Sequence, residues 1–175
     1  MTARVLVAGI GNIFLSDDGF GVEVIRRLAE VELEPDVEVV DFGIRGMHLA
    51  YQLLDGYDAL LMVDASARGG RPGELYLIEP DLAAVPDDEG SLLNAHGMEP
   101  EAVLSLIKTL ARDAGDPGRP AAEVVRRVLV IGCEPATVEE GMGLSPLVEA
   151  AVDEAVDLVL HVLATELKDT AVGRI

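Results

Sequence analysis

Short apolar runs alternate along this chain with segments of helical periodicity. The first strand is predicted over residues 4–8 (RVLVA), where apolar and β-branched residues lead directly into Gly9. A helix is predicted over residues 17–29 with Ser16 as its N-cap, because apolar residues recur there at roughly helical spacing. The chain therefore opens with a strand, a glycine-containing turn and a helix.

The same alternation continues to the C-terminal region. Further strands are predicted over residues 37–40, 59–63, 75–78 and 128–131. Further helices are predicted over residues 47–54, 96–110 and 146–162, the last with Ser145 as cap and Pro146 in the first helical position. Strands and helices that alternate through right-handed crossovers form a largely parallel sheet covered on both faces. We therefore predict an α/β protein.

Length and composition predict a single domain over residues 1–175. Half of the residues are hydrophobic, which is sufficient for one sizeable core. Residues 113–120 (DAGDPGRP) are interpreted as a surface loop, because too little chain follows them to build a second core. No apolar stretch is long enough to cross a bilayer, and the N-terminal residues do not resemble a secretion signal.

The charge of the chain excludes several classes of partner. Asp and Glu number 32 against 13 Lys and Arg, which gives a formal net charge of −19. Such a surface repels phosphate backbones and anionic lipid head groups, so neither nucleic acid nor a membrane is expected as a partner. The only cysteine, Cys133, cannot form an internal disulfide, which suits the reducing cytoplasm.

Unusual residues follow the predicted strands. In open parallel sheets, sites lie beyond the carboxyl ends of the strands. The segments concerned are residues 9–21 (GIGNIFLSDDGFG), 41–46 (DFGIRG) and 64–66 (DAS), and His96 lies in a fourth segment, residues 93–97 (LNAHG). We therefore expect the functional site to be built from these segments.

The glycine turn after the first strand does not match a nucleotide-binding motif. A dinucleotide fingerprint requires a third glycine where this chain has Phe14. A phosphate-binding loop requires a lysine after the glycines, whereas Asp17 and Asp18 place negative charge where an anion would dock. Both kinds of phosphate site are therefore excluded for this turn.

The acidic residues and His96 each have a simple structural interpretation. Asp17 and Asp18 could favour the start of a helix by about 0.3–1 kcal/mol, Asp64 could cap a loop, and His96 could lie at the surface. Considered together, two carboxylates from neighbouring strand ends and one imidazole suit a borderline divalent cation and leave coordination positions open. The combination favours a metal site over three unrelated structural roles.

Four segments together resemble the hydrogenase maturation protease family, in the same order and at similar spacing over nearly the whole chain. They are GIGNIFLSDDGFGVEVIRRL, DFGIRGMHLAYQLLDG, LLMVDA and NAHGMEPEAVL, of which G-x-G-N-x-x-x-x-D-D-G-x-G is the most specific element. The resemblance implies a three-layer α/β/α sandwich around a five-stranded sheet. It also implies an endopeptidase that removes the C-terminal extension of a nickel-iron hydrogenase large-subunit precursor after nickel insertion.

The resemblance also implies which residues bind nickel and support catalysis. Carried over to this chain, they are Asp18, Asp64 and His96, and Asp17 is a possible substitute for Asp18. In this family, nickel already held by the substrate is the recognition signal. Nickel is therefore expected to arrive with the precursor rather than to be held permanently.

A second set of residues is expected to bind substrate or shape the loops around the site: Asn12, Asp17, Asp41, Gly43, Arg45 and Gly46. The amide of Asn12 could fix the first loop, and the glycines permit backbone conformations closed to other residues. Arg45 could bind a carboxylate or carbonyl group of the substrate, or it could pair with one of the chain's many acids.

Two other functions compete with the protease. The first is a hydrolase in which His96 activates Cys133, although a lone thiol beside an apolar strand usually packs as a small hydrophobe, and Glu134 would raise its pKa. The second is a non-catalytic accessory module that binds nickel or a nucleotide. The protease family has no conventional nucleophile whose loss would reveal such a module.

Overall fold

The computed structural model describes residues 3–82, 104–105 and 124–168. The strands are β1 (Val5–Ile10), β2 (Val37–Gly43), β3 (Ala59–Ala65), β4 (Leu75–Ile78) and β5 (Arg127–Cys133). The helices are α1 (Phe20–Leu28), α2 (Gly46–Leu53) and α3 (Pro146–Thr165), and a 3-10 turn, Ser16–Gly19, precedes α1. Leu104 and Ser105 are also helical. The predicted loop 113–120 and most of the predicted helix 96–110 lie outside the described residues.

The five described strands form one sheet in the order β2-β1-β3-β5-β4. Strands β2, β1, β3 and β5 run parallel to their neighbours, whereas β4 runs antiparallel to β5. The sheet is therefore largely parallel and five-stranded, as predicted. A parallel arrangement places the carboxyl ends of β1, β2, β3 and β5 along one edge.

Each face of the sheet packs against its own hydrophobic core. Along β1, Val5 and Val7 join the core under α1 and α3, whereas Leu6, Ala8 and Ile10 join the core under α2. Every residue of β1 is buried, because successive side chains of a strand point to opposite faces and both faces are covered. The predicted three-layer sandwich is confirmed.

Two strands extend further than their apolar runs predicted. Strand β3 continues through Asp64, which pairs with Gly132 of β5. Strand β2 continues through Asp41 to Gly43, with a register shift where β1 passes from Gly9 to Ile10. Main-chain pairing continues after the side chains become polar, so Asp41 and Asp64 lie within the last residues of their strands rather than after them.

The prediction that Ser16 caps the first helix is wrong. Ser16 lies in the 3-10 turn with φ +52°, and its hydroxyl donates to the main-chain oxygen of Glu139 across the edge of the sheet. Ser145 does directly precede α3, with Pro146 as the first helical residue. Its hydroxyl, however, hydrogen-bonds the carboxylate of Asp17 instead of capping the helix. Both serines join loops that are distant in sequence.

None of the described helices combines the length and the apolar composition that crossing a membrane requires.

Candidate active site

The structure brings the segments that carry Asp18 and Asp64 to the same edge of the sheet. Strands β1 and β3 are neighbours, and Gly9 pairs with Val63, the residue before Asp64. The 3-10 turn that contains Asp18 contacts β3 directly. The two carboxylates that the sequence assigned to one site therefore belong to adjoining structural elements.

Gly21 permits this close approach. A Cβ atom at residue 21 would lie 2.1 Å from the main-chain oxygen of Val63 and 2.4 Å from that of Ile10. Both distances are far shorter than a van der Waals contact, so only glycine fits between the start of α1 and the ends of β1 and β3. The helix can therefore begin directly over the edge that carries the acidic residues.

Asp18 is half-buried and is held through one of its oxygens. Its Oδ2 accepts a hydrogen bond from the main-chain N–H of Asn12 at 2.8 Å. The side-chain Oδ1 of Asn12 in turn accepts from the N–H of Phe14 at 2.9 Å, which closes a compact loop. No hydrogen bond to Oδ1 of Asp18 is found within the described residues. The carboxylate is therefore oriented through Oδ2, and Oδ1 is the oxygen that the described part of the chain leaves for a ligand.

Asp17 has a different environment. Its side chain is completely buried, and four hydrogen bonds converge on it. Oδ1 accepts from the N–H of Ser145 at 2.7 Å, and Oδ2 accepts from the Ser145 hydroxyl at 2.8 Å and from the N–H groups of Ala136 and Thr137 at 2.8 and 3.1 Å. Burial by itself raises the pKa of Asp17, but these donors outweigh it and bring the pKa below its ordinary value.

The two neighbouring aspartates therefore have separate tasks. Asp17 ties the loop between β5 and α3 to the 3-10 turn, and a metal could reach its oxygens only by displacing those donors. Asp18 keeps one oxygen without a donor in the described part of the chain. The geometry favours Asp18 over Asp17 as the candidate ligand.

Asp64 is a buried carboxylate at the end of β3. It is 6 % exposed and lies in register with Gly132. His96, the third candidate ligand, lies outside the described residues. Among those that are described, no three His, Cys, Asp or Glu side chains form a group that could hold a metal ion.

The segment around Arg45 forms a turn built on its own main chain. Oδ1 of Asp41 accepts from the N–H of Gly43 at 2.9 Å, and Gly43 has φ +54°, a conformation that favours glycine. The guanidinium of Arg45 donates to the main-chain oxygens of Asp41 at 2.7 Å and Phe42 at 3.1 Å. Arg45 is exposed and forms no ion pair with the described acids, and Gly46 is buried at the start of α2.

This turn is joined to the loop that carries Asp18. The main-chain N–H of Gly11 donates to the oxygen of Gly43 at 3.0 Å. Gly11 itself packs so closely against the turn that a Cβ atom there would lie 1.9 Å from the main-chain oxygen of Asp18. The segments after β1 and β2 thus form one continuous surface at the carboxyl edge.

Sequence analysis missed the structural role of Glu134, which directly follows β5. Its buried carboxylate accepts hydrogen bonds from the N–H groups of Arg68 and Gly69 at 2.7 and 3.0 Å and from the Tyr76 hydroxyl at 3.0 Å. The bond from Arg68 contributes most to lowering the pKa of Glu134. The sequence feature that could have indicated this role is an acidic residue directly after a buried strand. Glu134 anchors the loop after β3 as Asp17 anchors the loop after β5.

Cys133 is unsuited to nucleophilic catalysis. Its side chain is buried in the core under α1 and α3. Burial, with smaller contributions from Asp17 and Glu134, raises the pKa of the thiol to about 12. The reactive thiolate is therefore scarce at neutral pH, and the environment argues against a hydrolase that depends on Cys133.

Comparison with known proteins agrees with this architecture. The family model described as hydrogenase maturation protease matches residues 22–162. The hydrogenase 2 maturation protease of Escherichia coli is 30 % identical over 162 residues, which is 91 % of this chain and 90 % of the relative. The hydrogenase expression/formation protein HupD of Bradyrhizobium diazoefficiens is 32 % identical over 164 residues, 92 % of this chain and 78 % of the relative.

Solved structures show the same relationship. The hydrogenase maturating endopeptidase HybD from Escherichia coli superposes with a TM-score of 0.71 at 28 % identity and covers 93 % of each chain. The hydrogenase 2 maturation peptidase from Thaumarchaeota archaeon SCGC_AB-539-E09 gives a TM-score of 0.65 at 31 % identity, covering 91 % of this chain and 97 % of the other. By sequence and by fold, the chain belongs to the hydrogenase maturation protease family.

Proposed function

We propose that this endopeptidase removes the C-terminal extension from the large-subunit precursor of a nickel-iron hydrogenase once nickel has been inserted. Family membership supports the peptidase activity and a hydrogenase precursor as substrate. The observation that carries the finer proposal is the placement of Asp18 and Asp64 on adjoining elements at one edge. Two carboxylates combined with the imidazole of His96 suit a borderline divalent cation and leave coordination positions that the substrate would fill.

Asp18, Asp64 and His96 are proposed to bind the nickel that the precursor carries. Bound there, nickel supplies Lewis acidity toward a carbonyl group or a water molecule. Asn12 fixes the direction of the Asp18 carboxylate through its main-chain N–H, so Asp18 needs little reorganisation when the precursor arrives. Burial of Asp64 within β3 fixes the second carboxylate on a rigid strand.

The turn formed by residues 41–46 is proposed to position the substrate chain. Two hydrogen bonds to main-chain oxygens hold the exposed Arg45 guanidinium beside the first loop. Asp41 and Gly43 give the turn its shape, and Gly46, the first residue of α2, follows it directly. Arg45 can then donate to a carbonyl or carboxylate group of the precursor without first being ordered.

The chain is further proposed to work as a single domain over residues 1–175, because its described strands all join one sheet. The net charge of −19 opposes binding to nucleic acid and to anionic membranes. A cytoplasmic location, expected from the sequence, stays a prediction.

The deciding experiment compares two forms of the precursor. Nickel-loaded and nickel-free large-subunit precursors from the same genome are incubated with the purified chain, and loss of the extension is followed by mass spectrometry. We expect cleavage of the nickel-loaded form alone. Equal cleavage of both forms in the presence of a chelator would rule out recognition through nickel. Binding of the loaded precursor without cleavage would instead indicate a non-catalytic accessory module.

A further inference from the structure

Three large apolar side chains are exposed beside the candidate site. Phe14, Val138 and Met142 are 62 %, 51 % and 72 % exposed. They belong to two loops at the carboxyl edge, one after β1 and one between β5 and α3. These three residues are called the apolar patch below.

Main-chain hydrogen bonds hold the two loops of the apolar patch together. The oxygen of Phe14 accepts from the N–H of Gly141 at 2.9 Å, and the N–H of Ser16 donates to the oxygen of Gly141 at 2.8 Å. Leu15 and Gly141 form an isolated parallel bridge, and Met142 directly follows. Phe14 therefore lies beside the residue that precedes Met142, although Phe14 and Gly141 are 127 positions apart in the sequence.

The apolar patch adjoins the carboxylate of Asp18. The N–H of Phe14 donates to Oδ1 of Asn12, and the N–H of Asn12 donates to Oδ2 of Asp18, at 2.9 and 2.8 Å. A specific protein interface covers roughly 800 Å² of each partner. An interface of that size around Asp18 is large enough to include the neighbouring loops that carry the apolar patch.

The loop that carries Val138 and Met142 is anchored at both ends, because the buried carboxylate of Asp17 accepts hydrogen bonds from Ala136 and Thr137 before it and from Ser145 after it. A surface that is already ordered loses little conformational entropy on binding. Aromatic residues and methionine are enriched in protein interfaces. The patch therefore has the composition and the rigidity of a docking surface.

Charge defines the partner further. Glu139 and Glu140 are exposed between Val138 and Met142, on a chain with a net charge of −19. Acidic side chains at the rim of an apolar patch favour basic side chains on the opposing surface and accelerate association at low salt. The matching surface is an apolar segment flanked by Lys or Arg.

We propose that the apolar patch is the docking surface for the body of the precursor, which presents an apolar segment flanked by basic residues. The proposal rests on the proposed function, since it assigns the partner to the same site. It adds a region that binds substrate without touching the scissile bond. Docking at the patch adds affinity for the precursor beyond that of nickel binding by Asp18 and Asp64, and it does not act on the cleavage step.

The test uses a double patch variant that combines Phe14→Ser with Met142→Ser. Its control is Leu77→Ser, which removes a side chain that is 47 % exposed on β4, in register with Ile131 in the interior of β5. We expect KM for the nickel-loaded precursor to rise at least tenfold in the double patch variant, with kcat changed less than about twofold. Leu77→Ser should leave both constants unchanged. Thermal unfolding of each variant checks that the fold is retained.

A charge reversal provides the second arm. Glu139→Lys with Glu140→Lys should slow association with the immobilised precursor, and the difference from the unmodified chain should shrink as salt is added.

An unchanged KM in the double patch variant, while the unmodified chain still cleaves, would overturn the docking proposal alone. A dimer of the unmodified chain that the patch variants dissociate, with KM unchanged, would assign the patch to a second copy. Failure of the unmodified chain to cleave, with patch-dependent binding retained, would overturn the protease function alone.

Discussion

The carboxylate of Asp17 accepts two hydrogen bonds from Ser145, one from its main-chain N–H at 2.7 Å and one from its hydroxyl at 2.8 Å. This pair joins the start of the first helical segment to the start of α3. It explains why two adjacent acids occur in the first motif. Asp17 stabilises the edge of the sheet, and its neighbour Asp18 is the residue proposed to bind the substrate's nickel.

The first prediction separates these roles by stability. Asp17→Asn should lower the free energy of unfolding by about 2–4 kcal/mol, because an amide cannot accept hydrogen bonds from all four buried N–H and O–H groups. Asp18→Asn should cost less than about 1.5 kcal/mol, since it weakens one hydrogen bond from Asn12. Urea unfolding followed by circular dichroism measures both. Equal losses in the two variants would contradict the division of roles.

The second prediction concerns pH. The fold favours the ionised form of Asp17, so its folded pKa lies below the ordinary 3.8. Its stabilising contribution is therefore complete well above that value and is lost as the pH falls through the folded pKa. The difference in unfolding free energy between the unmodified chain and Asp17→Asn should shrink on acidification. A difference that grew at low pH would show that the assigned direction is wrong.

The third prediction concerns the candidate ligands. Asp18→Asn, Asp64→Asn and His96→Ala should each reduce cleavage of the nickel-loaded precursor at least a hundredfold. Each substitution removes or weakens one metal ligand of a site that has only three proposed ligands. Asp157→Asn, which alters an exposed acid of α3, is the matched control and should cleave normally. Initial rates from mass spectrometry test the series. Full activity of His96→Ala would remove that residue from the site.

The fourth prediction concerns Cys133. Cys133→Ala should keep its cleavage activity, and iodoacetamide should not modify the native thiol at neutral pH, since it is buried and its pKa is raised to about 12. Unfolding in urea should make the same thiol react at once. Rapid alkylation of the native chain with parallel loss of activity would restore the cysteine mechanism.

The fifth prediction concerns the approach of α1 to the sheet. Gly21→Ala should destabilise the fold by about 3 kcal/mol, because its Cβ would overlap the main-chain oxygens of Val63 and Ile10. Gly143→Ala is a useful comparison, since that site has open space and only its φ of +93° opposes alanine. It should cost about 1–2 kcal/mol. Thermal or urea unfolding distinguishes a steric clash from backbone strain.

The order of strands and helices could be read from the sequence because it depends on local periodicity. Strand β4 was predicted with its observed bounds, Leu75–Ile78, and α3 begins at Pro146 as expected. The ends of β2 and β3 could not be read in the same way. Main-chain pairing with a neighbouring strand extends them beyond their apolar residues, and the neighbour is distant in sequence.

The sequence by itself determined the fold class, the protease family and the edge of the sheet where the polar motifs gather. Only the tertiary structure distinguished Asp17 from Asp18, which are adjacent and chemically identical. The donors that hold Asp17 come from residues 119 to 128 positions further along the chain. Hydrogen bonds of that kind leave no local pattern, because they exist only once β5 and α3 have packed against the first motif.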